Sequence, residues 1–381
     1  MLETPRRARQ AATLGLVFGA VLLAGAATGA WGDAGTPPAR PSADAAPAAV
    51  GAVAAGQDPA GAALSEQQAE HLIGASGDRW GAYYSAQEYA EFSQGLDGRY
   101  LGVGLSVGRG QDGVTAVSQV RPAGPAAEAG IAAGDRLLRI GQDQADRLPV
   151  TEVVARLRGR EGERQAGSEV TLAVQRGDGE VREVRLRRVL LDCQQVAVEH
   201  LDKGVVRITV RAFTSGVAEQ VRAAVRGAHA GVVLDLRGNS GGLVEEAAGT
   251  AGVFLDGGPV GSYQERGGTR ELTAPAGGDQ RTPLVVLVDG GTMSAAELLT
   301  GALQDRSRAV VVGGRTFGKG TVQQPSRLAD GAVLELTVGR YYTPAGRSPE
   351  GTGLTPDVPA TASEDAGALA LRVLAGLGTR A

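Results

Sequence analysis

The apolar and polar positions of this chain change period several times, and each change marks a segment. Residues 11–30 are almost continuously apolar behind Arg6, Arg7 and Arg9. A basic head, an apolar run and the small residues Thr28-Gly29-Ala30 predict a secretory signal. The run also has the roughly 20 residues that span a bilayer, so residues 1–31 read either as a cleaved signal or as a membrane anchor, with the main body outside the cytoplasm. Residues 32–63 are rich in Ala, Pro, Gly and Ser and nearly lack large apolar side chains. Such a stretch buries too little surface to offset chain entropy, which predicts a flexible linker. Periodicity begins at Leu64. Ser65–Ile73 opens on a helix cap, and Ala86–Phe92 sets Tyr89 and Phe92 on one helical face, so residues 64–99 predict a helical packing segment.

From Tyr100 to Arg188 the period shortens to two. Y-L-G-V-G-L-S-V (Tyr100–Val107) reads as a strand, G-R-G-Q-D-G as its hairpin turn and T-A-V-S-Q-V as the returning strand. A turn, a short helix, the Gly134-Asp135 turn and a strand ending at Ile140 follow. Next come an amphipathic helix over Thr151–Arg158 and a closing hairpin. This order resembles a PDZ domain of the bacterial, protease-associated kind, with Leu101-Gly102-Val103-Gly104 similar to the carboxylate-binding loop and Ala129-Gly130-Ile131 and Gly134-Asp135 also matching. Gly141-Gln142 replaces the Asn-Gly frequent after that strand. The resemblance implies that a peptide C-terminus adds as a strand beside Val103–Ser106, its carboxylate held by N–H groups of the 102–104 loop.

Beyond residue 189 the pattern is that of an α/β domain. Val205–Val210 alternates, a helix covers Ala218–Arg226, and Gly231–Arg237 is a continuous apolar strand running into G-N-S-G-G and a helix. The unit repeats with Leu284–Val288, a Gly-rich turn and a helix from Ser294. A β-branched run at Val310–Val312 then leads to the Gly-rich turn holding Lys319. Sheets of this kind gather such turns beyond the carboxyl ends of their strands. Leu334–Pro344 predicts a further strand. Residues 361–381, rich in Ala and Gly, predict a partly helical, peripheral tail.

Composition narrows the chemistry. A net charge of −4 offers no basic face for nucleic acid. One cysteine, Cys193, excludes an intrachain disulfide and a cysteine metal cluster, and the three histidines lack ligand spacing, so neither metal nor cofactor is expected. Ser294, at a strand-to-helix turn beside unpaired helix-start N–H groups, is a candidate nucleophile. No histidine follows Ala230, and His229 falls at the wrong end of its strand. The remaining candidate base is Lys319, provided burial lowers its pKa; otherwise it is a surface lysine in a turn. Phe317, Gly318, Gly320 and Val322 could close around it, and Gln323 could orient its amine. Gly313–Lys319 fits half of a phosphate-binding loop, but Gly320 stands where Ser or Thr must hold magnesium, which excludes a nucleotide site. The residues around Ser294 also lack the G-x-S-x-G elbow.

Together these residues resemble the C-terminal processing peptidases, peptidase family S41, over roughly Leu64 to Pro359. M-S-A-A-E, F-G-K-G and T-V-Q match the family's motifs at Ser294, Lys319 and Gln323, and D-L-R-G-N-S-G-G (Asp235–Gly242) matches its Gly-rich motif. Asp289 and Thr292-Met293 depart from the family pattern without removing a catalytic group. The resemblance implies an α/β protease core, a ClpP/crotonase-like mixed sheet with helices, over residues 189–360. It also implies a β-rich PDZ domain over 100–188 and an N-terminal helical segment. It assigns Ser294 as nucleophile, Lys319 as base and Gln323 as helper, and it draws an oxyanion hole from the N–H of Ala295 and that of Gly241 or Gly242. The implied function is a serine endopeptidase acting on proteins near apolar C-terminal tails. The alternatives are a tail-binding scaffold with a degenerate core and a hydrolase of non-peptide acyl substrates.

Overall fold

A computed structural model describes residues 64–110, 113–159, 165–265, 268–361 and 363–378. The expected signal or anchor (1–31) and linker (32–63) lie outside the described residues, as do Gln111 and Asp112 of the hairpin turn. Helix α1 (Glu66–Ser76) begins at Ser65, whose hydroxyl accepts the Gln68 N–H while the Gln68 side chain accepts the Ser65 N–H. It stops at Gly77, which takes φ 67°. After strand β1 (Ala82–Tyr84), Ser85 and Glu88 repeat the same reciprocal cap at the start of α2 (Ala86–Leu96). There Phe92 stacks on Tyr84 at 5.4 Å and meets Tyr89 at 6.2 Å.

The chain forms two compact units. Arg99–Cys193 is the β-rich one. Its elements are β2 (Arg99–Gly102), β3 (Leu105–Arg109), β4 (Thr115–Val120), α3 (Pro125–Glu128), β5 (Arg136–Ile140) and β6 (Asp143–Gln144). They continue with α4 (Val150–Arg158), β7 (Glu169–Gln175), β8 (Val181–Arg187) and β9 (Val189–Asp192). Strands β3-β4-β5-β7-β8 make one antiparallel sheet, with β6 on β5. The continuous strand expected over Tyr100–Val107 is broken. Gly104 takes φ 78°, so the residues before it pair with β9 and those after it with β4. Apolar alternation runs through the break because both halves bury one face. Val117, Leu137, Leu172 and Val174 meet Val153 and Leu157 of α4 in the core. The buried guanidinium of Arg188 donates to the Leu157, Arg156 and Glu169 carbonyls, satisfying acceptors at the end of α4.

The second unit joins residues 64–98 to the remainder of the chain. Its elements run β10 (Val196–His200), β11 (Val205–Val210), α5 (Val217–Val225), β12 (Gly231–Asp235), α6 (Val244–Phe254), β13 (Pro259–Glu265) and β14 (Gly268–Thr273). They end with β15 (Leu284–Val288), α7 (Ala295–Asp305), β16 (Val310–Gly313), β17 (Thr321–Arg327), β18 (Val333–Tyr342), β19 (Val358–Pro359) and α8 (Ala366–Gly378). The main sheet has the order β10-β11-β12-β15-β16-β19, antiparallel at β10 and parallel elsewhere. Period-two burial divides its side chains. Val232, Leu234, Leu284 and Val286 face the core with α5, α6 and α7, while Val233, Val285, Leu287 and Val312 face Ala370 and Leu374 of α8. The tail expected at the periphery therefore supplies a covering layer, since a sheet apolar on both faces needs a helix on each. A second sheet, β1-β18-β13-β14 with β17 on β18, brings the N-terminal segment in, and α1 packs Ala69 against Leu328 and Leu334.

Leu287 is fully buried under α8. Leu287→Ala is expected to lower unfolding free energy by about 2–5 kcal/mol in a urea titration, and a loss below about 1 kcal/mol would show that α8 is not a structural layer.

Candidate active site

Because β12, β15 and β16 are parallel, the turns that follow them open on one rim of the sheet, the arrangement expected from the sequence. The first two turns are tied together. Asp235 closes β12 with an ion pair to Arg237 at 2.6 Å, and Asp289 Oδ1 accepts the N–H of Gly238 and Gly291, each at 2.9 Å. Only Oδ1 is used, which an asparagine also carries, so this departure leaves the turn intact. The Thr292 hydroxyl donates to the Leu236 carbonyl at 2.9 Å and the Met293 N–H to that of Asn239 at 2.8 Å.

Ser294 sits at the start of α7 with φ 56° and ψ −118°, a region that side-chain-bearing residues rarely occupy. The strain, of order 1–3 kcal/mol, persists only where neighbours hold it. Two groups do so. The Ser294 N–H donates to Glu297 Oε2 at 2.9 Å, and Tyr341 Oη lies 2.8 Å from the Ser294 carbonyl. Thus the position lacks the elbow motif yet presents its serine on a strained turn.

The same two groups hold Lys319. Glu297 Oε2 also accepts the Lys319 N–H at 2.9 Å, and Tyr341 Oη lies 2.6 Å from the Lys319 carbonyl. Glu297 Oε1 completes the set, accepting the Thr316 hydroxyl at 2.6 Å and the Gly318 N–H at 2.8 Å. Glu297 is wholly inaccessible to solvent. Burial pushes its carboxyl up, opposed by the hydrogen bonds from Thr316, Lys319, Gly318 and Ser294. Burial also holds the Lys319 ammonium below the ordinary lysine range, against the attraction of Glu335, Glu350 and Asp78. Part of that burial comes from Trp80, whose ring centroid is 4.6 Å from Lys319 Nζ. Phe317 is 47% exposed, with its ring centroid 6.0 Å from that of Trp80. The 318–320 turn packs against the 348–353 loop, where a side chain at Gly320 would meet the Glu350 N at 2.7 Å.

Gln323 lies on β17, an element the sequence reading did not anticipate. A strand after Lys319, in place of a helix, also agrees with excluding a phosphate loop. Gln323 Nε2 donates to the hydroxyls of Thr321 at 2.9 Å and Thr337 at 3.1 Å. With both hydrogens occupied, the group it can offer an amine is Oε1.

The two glycine candidates separate on hydrogen bonding. The Gly241 N–H donates to Asn239 Oδ1 at 2.9 Å. Among the described residues the N–H groups of Gly242 and Ala295 meet no acceptor. Both glycines are required by close approach. A Cβ on Gly241 would lie 3.0 Å from that of Ser294, and one on Gly242 would lie 2.2 Å from the Phe213 carbonyl. His229, at the far end of β12, takes no part.

In the β-rich unit Leu101 and Gly102 end β2, paired to Leu190 and Val189, and Val103 is buried with its carbonyl accepting the Ala126 N–H. The Gly104 carbonyl accepts the Arg121 N–H, and no described acceptor takes the N–H of Val103 or Gly104. Strand β3 is an edge strand from Leu105 on, with Leu105 and Val107 packed against the cluster that includes Val153 and Leu157 of α4. An open edge beside a helix is the geometry that strand addition uses.

Sequence reasoning missed Glu297, Tyr341, Trp80 and Asp78. Only Glu297 carried a local signal, the S-x-x-E cap at Ser294–Glu297.

The Gly-rich rim thus brings together a strained serine, a partly buried lysine and two N–H groups that meet no acceptor among the described residues. Residues 203–360 match peptidase family S41 and residues 93–175 match the PDZ domain. The chain belongs to peptidase family S41, with a PDZ domain ahead of the peptidase region. It is 32% identical over 304 residues to a probable CtpA-like serine protease of Staphylococcus aureus (strain bovine RF122 / ET3-1), covering 77% of this chain and 60% of that protein. The Staphylococcus epidermidis counterpart is 30% identical over the same length and shares. The chain thus spans about 60% of the length of these curated relatives. Among solved structures, the photosystem II D1 C-terminal processing protease is 27% identical, with 78% of this chain and 82% of that chain covered and a TM-score of 0.48.

The Glu297 node has a stability consequence. Glu297→Gln keeps the shape but turns one acceptor oxygen into a donor facing N–H groups, so chemical denaturation should show a loss of about 1–3 kcal/mol. A loss within about 0.5 kcal/mol of zero would mean that the carboxylate does not hold the two turns together.

Proposed function

We propose that this protein is a serine endopeptidase that cleaves proteins near their C-termini, with Ser294 as nucleophile, Lys319 as general base and Gln323 as its orienting partner. The observation that carries the reading is that one buried oxygen, Glu297 Oε2, accepts the N–H of both Ser294 and Lys319. It ties the backbones of the two residues together, which supports placing their side chains on one site. Neutral Lys319 removes the Ser294 Oγ proton as the oxygen attacks the scissile carbonyl carbon. The N–H groups of Gly242 and Ala295 receive the oxyanion, and the resulting ammonium returns its proton to the departing amine. Water then attacks the acyl-serine and gives its proton to Lys319, and the ammonium returns that proton to the departing Ser294 Oγ as the new C-terminus is released. The Gln323 carbonyl accepts from the amine and fixes its direction.

The open β3 edge and the unpaired N–H groups of Val103 and Gly104 support recognition of a substrate's C-terminal carboxylate, with Leu101 and Gly102 shaping the loop. The packing of Leu105 and Val107 favours an apolar tail. The basic-then-apolar N-terminus supports export or anchoring outside the cytoplasm. Among the described residues no helix is long and apolar enough to cross a membrane.

The test is turnover of an apolar-tailed protein. Ser294→Ala and Lys319→Ala should each reduce it by about 10³-fold or more, with Gln323→Ala lowering kcat at little cost in KM. Turnover by both alanine variants equal to wild type would sink the mechanism, and tail binding without wild-type turnover would favour the scaffold. Activity depends on deprotonated Lys319, so kcat/KM should rise with pH through an acid limb. Its midpoint should lie below the ordinary lysine value of about 10.4, because burial disfavours the ammonium. A limb at or above that value would remove Lys319 as base. Amidating the tail carboxylate should weaken binding by about tenfold or more, as loss of a charge-assisted contact does; equal affinities would exclude the PDZ loop as its receptor.

A further inference from the structure

The groups around Lys319 do not come from the rim alone. Trp80 lies between α1 and β1, outside the span that matches the peptidase family. Its ring centroid is 4.6 Å from Lys319 Nζ, 4.7 Å from the Arg79 guanidinium carbon and 6.0 Å from that of Phe317. The turn that carries it is pinned to β18. Asp78 Oδ1 accepts the backbone N–H of Trp80 at 3.0 Å and the Thr337 hydroxyl at 2.9 Å, while Oδ2 accepts the Thr337 backbone N–H at 2.7 Å. Thr337 Oγ1 in turn accepts from Gln323 Nε2 at 3.1 Å. One carboxylate thus fixes the Trp80 backbone directly and the Gln323 amide through Thr337, while the indole Nε1 is buried with no hydrogen-bond partner among the described residues.

We propose that Trp80 is a positioning residue for the general base: its indole holds the Lys319 amine at the site and, by its face and its bulk, sets the amine's resting protonation state. The inference rests on the reading of Lys319 as base. Two effects of the indole oppose each other. Its face attracts an ammonium more than a neutral amine, while its bulk excludes the water that an ammonium prefers. Of the other charged groups facing the amine, Glu335 on β18, Glu350 in the loop before β19 and Asp78 favour the ammonium, and Arg79 opposes it. Burial outweighs each of them. The N-terminal segment therefore acts on the reaction, not only on the fold.

Two substitutions separate the effects. Trp80→Leu keeps apolar bulk without the aromatic face, so the acid limb of kcat/KM should move to lower pH by roughly half a unit to one unit. Trp80→Ala admits water, so the limb should move to higher pH. Profiles of both variants coincident with wild type would overturn the proposal. A second readout needs no catalysis. The chain has two tryptophans, Trp31 and Trp80, so Trp31→Phe leaves Trp80 as the sole indole emitter. Its emission should titrate with the midpoint of the acid limb, and the transition should vanish when Lys319→Met is added. Absence of the transition, with Lys319→Met inactive, would overturn the role of Trp80 and leave Lys319 as base. A transition lost in an active Lys319→Met protein would overturn the base, and this inference with it.

Discussion

The site depends on one buried carboxylate. Glu297 has no solvent contact, and an isolated charge in such a place is prohibitively costly. What makes it tolerable is a complete set of donors: the N–H groups of Ser294, Gly318 and Lys319 and the Thr316 hydroxyl. Removing any of these donors, by moving either turn, raises the energy of the carboxylate. The constraint therefore runs both ways. The carboxylate holds Ser294 at a positive φ, and the two turns keep the carboxylate satisfied. Tyr341, within reach of the carbonyls of Ser294 and Lys319, closes the same frame from the other side.

A frame this tight leaves little room between backbones, and the glycines at the rim follow from that. Gly313 passes so near Val288 that a side chain would lie 2.1 Å from its carbonyl, and Gly353 so near Thr316 that one would lie 2.2 Å from its carbonyl. With Gly241 and Gly242 these positions let three turns and the 348–353 loop converge. The chain's 59 glycines thus include several that no other residue could replace.

Much of the architecture was legible because burial writes itself into local periodicity. The parallel strands β12, β15 and β16 read as apolar runs and β11 as an alternating one, and the turns at Ser294 and Lys319 followed from the Gly clusters after them. The pairings were not legible. Tyr100–Val107 alternates as one strand, but Gly104 redirects it to a second partner. Strands β13, β14 and β17 are rich in polar residues, so their strand character comes from β18 and each other, not from their own composition. In the same way α8 is read as a tail until the sheet beneath it is known to be apolar on both faces. Of the candidate site, Ser294, Lys319 and Gln323 could be named from motif and resemblance. The difference in hydrogen bonding between Gly241 and Gly242 could not, because it turns on where the side chain of Asn239 points.

Under the proposed assignment of Lys319 as base, replacing histidine by lysine changes what the fold must provide. An imidazole titrates near neutrality unaided, whereas an amine does so only where its ammonium is poorly solvated. Poor solvation cannot be supplied by a Gly-rich turn, whose members have no side chains to exclude water. It has to be brought from elsewhere, and here an aromatic ring from the N-terminal segment stands 4.6 Å from the amine while the 348–353 loop packs against its turn. These elements are far apart in the sequence, so the base becomes competent only when the second sheet is assembled with β1 paired to β18. The chemistry is thereby coupled to complete folding of the unit, since a partly folded form would expose Lys319 to water and leave it protonated. That coupling follows from the pKa requirement of an amine base.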